Sequence, residues 1–376
     1  MEPGITSVEL IFILLALGIA LSYLARRLHI AEPILLLGGG LLIGLIPDLP
    51  DVELDPEVVF VLFLPPILFA AAYFTPIRDF KANARPILLL AVGLVLFTTV
   101  VVGVVANALI PGMSLAAALT LGAIVAPPDA VAATAVFRRL GVPRRIVTIL
   151  EGESLINDAS SLIAYRAASA VAVGAAAFSI ADSSLSFLVI GIGGVLVGAS
   201  VGLVVTRALS RTGDPVLEIV VTLIAPATAY LAAELVGVSG VLATVVAGLI
   251  TGRRAARVLS PDARLLGLGA WQTVIWAINA FVFMLIGLQL PSIMAGLTDI
   301  PTTELLAYGA IVSVTVILAR VVWVFPATYL PRLLSARLRE RDAAPPIRAV
   351  AVLSWAGMRG GVSLAAALAL APDFPQ

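Results

Sequence analysis

The run GAIVAPPDAVAATAVFRRLGVPRRIVTILEGESLINDASSLIAYR, residues 122–166, decides the fold. Two apolar stretches meet at a basic turn, RRLGVPRR at 138–145, and each carries groups that a lipid-buried helix should not. In the first, Pro127-Pro128 stands in mid-stretch. Neither ring supplies an N–H, so a regular helix cannot run through them and the backbone must unwind. Unwound backbone at membrane depth is tolerated only where it is buried in protein or lines a cavity. Asp129 follows at once, at the start of the second half-helix. An interrupted helix with an acid at the break is how secondary transporters build ion sites. The plainer alternative is a proline kink with Asp129 capping the half-helix, and the two can coexist.

The second stretch holds EGESLINDASSLIAYR, residues 151–166. Helical spacing puts Glu151, Ser154 and Asp158 on one face and Glu153 with Asn157 on another. The first stripe offers oxygens to a hard cation such as Na+. The second suits a structural ion pair, with Arg320 as its candidate partner. Arg166 lies two turns outward of Asp158, and its partner stays open. A purely structural polar network is the alternative. A charge at the centre of a membrane helix costs about 2.5–3.5 kcal/mol, so such groups must pair or line a wet cavity.

The rest of the chain agrees with a membrane setting. Of its 376 residues 61% are hydrophobic and 12% are charged, against about 25% charged in an average soluble protein. That excludes an ordinary soluble enzyme, a disordered protein and a nucleic-acid binder, and the net charge of zero adds no field for polyanions. There is no Cys and one His, His29, read as a solvated loop residue. A thiolate metal site or a two-His metalloprotease therefore lacks its parts, a triad would have to draw on the loop residue His29, and no GxxxxGK[ST] run is present to bind ATP.

Twelve apolar windows are long enough to read as spans, near 7–25, 30–47, 57–75, 86–110, 114–140, 145–175, 184–208, 215–236, 238–252, 269–290, 303–330 and 347–371. No small-residue cleavage site follows the first, which reads as a mature span and not a removed signal. Of 23 Lys and Arg, 20 fall in alternate connections, which makes those connections cytoplasmic and puts the N-terminus outside, in a multi-pass membrane protein. The other three, Arg166, Arg320 and Arg359, lie within spans beside the acids Asp129, Glu151, Glu153 and Asp158, which leaves one negative charge in excess. That balance suits a site holding one proton or one monovalent cation. Glu218 and Glu234 fall near span ends and read as interfacial.

The last window, AVLSWAGMRGGVSLAAALALA, surrounds Arg359 with Gly357, Gly360 and Gly361. Glycine permits non-helical dihedrals, and a second interrupted helix follows. It runs antiparallel to the first, as an inverted repeat requires. Close glycine packing between helices is the alternative. The window SGVLATVVAGLITG at 239–252 reads as a tightly packed helix.

The segments FLPPILFAAAY (63–73), GAIVAPPDAVAATAVFRRLGVP (122–143), LEGESLINDAS (150–160), SGVLATVVAGLITG (239–252), ILARVVWVF (317–325) and WAGMRGGVSLAAAL (355–368) together resemble the NhaP/NHE-type cation:proton antiporters, in the same order along nearly the whole chain. The resemblance implies an all-α polytopic fold with inverted repeats and two crossing interrupted helices, in one transporter domain over 1–376. Its outer, dimer-forming helices would be about 1–110 and 184–290, and its core about 114–175 and 303–371. Asp158 is implied as the carrier of cation or proton, with Asp129 as its partner at the break. Ser154, Glu153 and the Pro128 carbonyl are implied as further members, so that Na+ would sit at Asp129, Ser154 and Asp158. Asn157 would hold the site by hydrogen bonds. Arg320 would pair with Glu153, Arg359 would balance charge, and Glu151 would support. The Asn157-Asp158 pair implies electroneutral exchange of one Na+, or Li+, for one H+. No cofactor is implied beyond the transported ions, and the partners are the bilayer and a second copy in a homodimer. K+/H+ exchange, a cation channel and a symporter are the alternatives.

Two features depart from the family pattern. Here Pro128 precedes Asp129 and Ala130 follows it, where the family often has a hydroxyl before the acid and Pro after it. The resemblance also implies a thirteenth span, mirroring the sixth, beyond Gln376.

Overall fold

Helices fall on all twelve of these windows. They are α1 (Ser7–Leu28), α2 (Glu32–Gly44), α3 (Leu64–Phe74), α4 (Ala84–Leu109), α5 (Leu115–Val125), α6 (Arg144–Ala172), α7 (Ile180–Thr212), α8 (Pro215–Leu235), α9 (Gly240–Val258), α10 (Pro261–Gly296), α11 (Thr302–Leu334) and α12 (Ile347–Trp355). The structure, a computed structural model, describes residues 7–46, 62–128, 142–174, 180–296, 301–336, 340, 344–357, 363, 367, 370 and 374. Among the described residues every regular element is helical. Among the described residues five helical stretches are both long and apolar enough to cross a bilayer: Ala84–Leu109, Leu185–Thr212, Pro215–Leu235, Pro261–Pro291 and Thr302–Leu334. On α7 the side chains of Leu188, Val189, Ile192, Leu196 and Val204 are exposed. An exposed apolar face of that kind, broken at Ser200, fits lipid and not water.

The helix starts follow local chemistry. Ser114, Asp214 and Ser239 are N-caps whose side chains accept from the first turns of α5, α8 and α9. A short helix, Ile77–Ala82, precedes α4. Its Asp79 pairs with Arg144 at 3.0 Å, and Asn83 accepts from Arg145 Nε at 3.0 Å. Two of the basic connections therefore meet at one end of the bundle, the end where α6 begins.

Packing divides the interior. One apolar cluster joins α4, α6, α11 and α12 through Leu90, Leu94, Ile149, Leu150, Val324 and Leu353. A second joins α3, α7, α8, α9 and α10 around Phe69, Leu209 and Trp271. A third, with Leu14, Leu36 and Met284, ties α1 and α2 to α10. Between the first two runs a seam in which Leu155 and Ala159 of α6 meet Leu68, Tyr230, Val241 and Val245. The grouping drawn from sequence put α4 with the outer helices. Its buried face instead packs on α5, α6 and α11. The α4 π-helical stretch Leu89–Leu94 explains part of that fit, since the Leu89 carbonyl there accepts from Trp323 Nε1 of α11 at 3.0 Å.

Close packing was expected of α9, and it is close. A Cβ at Gly248 would lie 2.7 Å from the Phe69 carbonyl oxygen, and one at Gly252 would lie 2.1 Å from that of Tyr73. The run GASVG at 198–202 has the G-x-S-x-G spacing of a hydrolase nucleophile turn. It lies inside the continuous α7, its glycines pressed on Ala243 and Ala247 and its Ser200 hydroxyl bonded to the Leu196 carbonyl, so it is a packing stripe.

Candidate functional site

Helix α5 ends at Val125, and residues 126–128 are non-helical and buried. The break falls where Pro127 and Pro128 withdraw two backbone donors. In an α-helix the residue-127 N–H would bond the Ala123 carbonyl, so Pro127 strips that carbonyl of its partner. Helix α6 answers from alongside. Ser161 Oγ donates to the Ala123 carbonyl at 2.7 Å, and Asn157 Nδ2 donates to the Pro128 carbonyl at 2.7 Å, both in buried settings. The other amide atom, Asn157 Oδ1, is buried and meets no donor among the described residues.

The two polar stripes of α6 differ in environment. Glu153 (1% exposed) and Asn157 are fully inside, Asp158 is 8% exposed, and Ser154 and Glu151 are half-buried. Both oxygens of Glu153 are engaged by Arg320 of α11: Nη1 to Oε1 at 2.6 Å and Nη2 to Oε2 at 2.9 Å. This is the bidentate geometry that a guanidinium makes with a carboxylate. Arg320, itself 2% exposed, also donates through Nε and Nη2 to the Leu353 carbonyl at 3.3 and 3.2 Å. Leu353 sits in the last turn of α12, where carbonyls lose their helical partners. One side chain thus ties α6, α11 and the end of α12 together. Both oxygens of Glu153 are thus engaged in that pair.

Helix α12 stops at Trp355, and Gly357 follows outside it. Arg359, Gly360 and Gly361 lie outside the described residues, as does Asp129. Of the residues expected to hold Na+, the structure therefore sets Ser154 and Asp158 one turn apart on α6 and leaves Asp129 undescribed.

Two sequence readings need correction. Arg166 pairs with Glu234 of α8 at 2.9 Å, on the seam side of α6, with both side chains partly exposed. Its charge is matched there, so the balance of four acids against three arginines no longer stands. Glu218, read as interfacial, is 2% exposed and accepts from both Ser260 N (2.8 Å) and Ser260 Oγ (2.9 Å) at the start of α10. Sequence reading also passed over Ser161. Its signal was there: it falls four residues after Asn157, and Ala123 falls four before Pro127.

The family model for "Sodium/hydrogen exchanger, transmembrane" matches residues 11–374. The uncharacterized Na+/H+ exchanger Rv2287 of Mycobacterium tuberculosis is 36% identical over 374 residues, 98% of this chain and 68% of that protein. A "sodium, potassium, lithium and rubidium/H+ antiporter" of Bacillus pumilus is 35% identical over 372 residues, 96% of this chain and 55% of that protein. Among solved structures, the sodium proton antiporter MjNhaP1 from Methanocaldococcus jannaschii at pH 8 aligns with a TM-score of 0.73 at 20% identity, covering 96% of this chain and 87% of that one. The structural likeness carries the fold: an all-helical antiporter bundle. The sequence matches carry the family, and with it the class of activity: this chain belongs to the transmembrane sodium/hydrogen exchangers, a family of cation/proton antiporters.

Proposed function

We propose that the chain exchanges Na+, or Li+, for H+ one for one and without net charge movement, through competition of the two ions for the carboxylates of Asp158 and Asp129. The observation that carries this reading is the buried bond from Asn157 to the Pro128 carbonyl. It joins the residue that precedes Asp158 to the residue that precedes Asp129. Hard monovalent cations take oxygen ligands, and a carboxylate, the Ser154 hydroxyl and a backbone carbonyl are oxygens of graded charge. Either a proton or a cation neutralises the carboxylate, and one occupant excludes the other. Glu153 and Arg320 cancel each other beside the site, so they stiffen it without adding charge. The energy comes from the ion gradients, and alternating access follows from movement of the α4–α6, α11, α12 group against the remaining helices. A homodimer in the inner membrane, N-terminus outside, completes the proposal. The name of the Bacillus relative favours a second reading, a broader range of monovalent cations exchanged for protons.

Purified protein in liposomes with a trapped pH dye tests both. After an acid-inside gradient is set, external Na+, Li+, K+ or Rb+ is added, with voltage clamped by valinomycin and K+ in the Na+ and Li+ arms. Alkalinisation by Na+ and Li+ that ignores the clamp is expected. Equal responses to K+ and Rb+ would favour the broader reading, and a response that follows the clamp would refute electroneutrality. Asp158→Asn should abolish the response in folded protein. Normal exchange by that variant would remove Asp158 as the carrier.

A further inference from the structure

Pro127 removes the donor that the Ala123 carbonyl would have in a continuous helix, and at membrane depth no water replaces it. The donor comes instead from Ser161, 2% exposed, across the helix interface. Ser161 stands one turn beyond Asn157 on the same face of α6, and Asn157 holds the Pro128 carbonyl. Helix α6 therefore grips α5 at two points, one in its last helical turn at Ala123 and one within the segment that follows, at Pro128. A single grip would let that segment pivot about the Asn157 bond. Two grips fix its direction. Asp158 lies on α6 between the two gripping residues in sequence. The double hold thus sets the register of the break against the acid proposed to carry the ion. The neighbouring Ser160 is equally buried, yet its hydroxyl is bonded within its own helix, to the Ile156 carbonyl at 3.2 Å.

We propose that Ser161 is a positioning residue of the transport site: by holding the Ala123 carbonyl that Pro127 leaves without a partner, it orients the broken end of α5 toward Asp158 and so sets cation affinity and ion preference. This rests on the exchange reading above. Removing the hydroxyl leaves every charge in place and lets the break rotate to find another donor. Oxygen spacing at the site then shifts, and spacing is what separates Na+ from Li+ and K+.

The test measures cation KM, kcat and the pH profile of exchange in liposomes for the wild type, Ser161→Ala, Ser161→Val, Ser161→Thr and Ser160→Ala. Ser161→Ala and Ser161→Val should raise the Na+ KM about five- to tenfold, the order set by one buried hydrogen bond, with kcat changed less. They should also alter the Na+ to Li+ ratio and displace the pH profile. Ser161→Thr, which keeps the hydroxyl, and Ser160→Ala should stay within about twofold of wild type. If Ala and Val do not fold, Ser161→Cys keeps the volume with a weaker donor and should give an intermediate KM. A hydroxyl that only stabilised the fold would lower the amount of active protein without moving KM, ion ratio or pH profile, and that result would overturn the inference. So would Thr behaving like Val. A wild type with no cation-driven proton flux would overturn the exchange reading and this one with it. Flux in the wild type with unaltered Ala and Val variants would overturn this one alone.

Discussion

Glu153 and Arg320 hold each other through two short contacts at positions where neither can turn to water. Breaking such a pair leaves a buried charge without a partner, a loss of about 3–5 kcal/mol. Glu153→Gln should therefore lower the thermal midpoint of the detergent-solubilised protein sharply. The double variant with Arg320→Gln should lose less than the two single losses together, because no bare charge remains. Equal or additive losses would show that the pair is not the unit of stability. This contact was legible in the sequence because helical periodicity put Glu153 on a face apart from Glu151, Ser154 and Asp158. The Arg166–Glu234 pair was not, since nothing local links residues on helices whose packing is set only in three dimensions. Glu218 misled for a related reason. Its place near a helix start suggested solvent, whereas the start of α10 supplies two donors that replace water.

Helices depend less on such pairs than on how closely their backbones approach. Helix α9 lies so near α3 that a methyl group at Gly252 would meet the Tyr73 carbonyl oxygen at 2.1 Å. Backbone cannot step aside as a side-chain tip can, so Gly252→Ala should cost about 1–3 kcal/mol by overpacking. At Gly309 of α11 and Gly269 of α10 an added methyl group would have nothing within 4 Å. Alanine there should leave stability unchanged or raise it by up to about 1 kcal/mol through helix propensity. Thermal melts of the three variants in one detergent check the contrast, and a neutral Gly252→Ala would mean that α9 and α3 can separate freely. At this scale the sequence was most readable where composition alone decides. Windows of apolar residues gave the positions of α1 to α12, and Pro127-Pro128 gave the break. The ends were less readable, because helices run past the apolar window into the polar rim: the window at 269–290 lies within a helix over Pro261–Gly296. The membership of α4 was unreadable, because its apolar run is much like the others and only its contacts assign it to α5, α6 and α11.

At the scale of the molecule, α6 stands in both halves of the interior. One face lies in the cluster with α4, α11 and α12, and another lies in the seam against α3, α8 and α9. If exchange proceeds by movement of the first group against the rest, that seam must slide. Arg166 and Glu234 straddle it, one on α6 and one on α8, at the end of α6 remote from the Asp79–Arg144 contact. Their ion pair is partly exposed and is worth at most about 1 kcal/mol, so it can open and close within a transport cycle. A covalent link at the same place cannot. The chain has no Cys, so paired cysteines at 166 and 234 would be the only thiols present. Arg166→Cys with Glu234→Cys should exchange cations for protons at a rate near wild type while reduced. A short, reducible bifunctional thiol reagent should then arrest proton flux, and a reductant should restore it. Each single-cysteine variant treated with the same reagent should keep its flux, which separates cross-linking from simple modification. Full exchange by the linked double variant would mean that α6 and α8 keep their distance throughout the cycle, and access would then have to alternate by motion within the α4–α6, α11, α12 group itself.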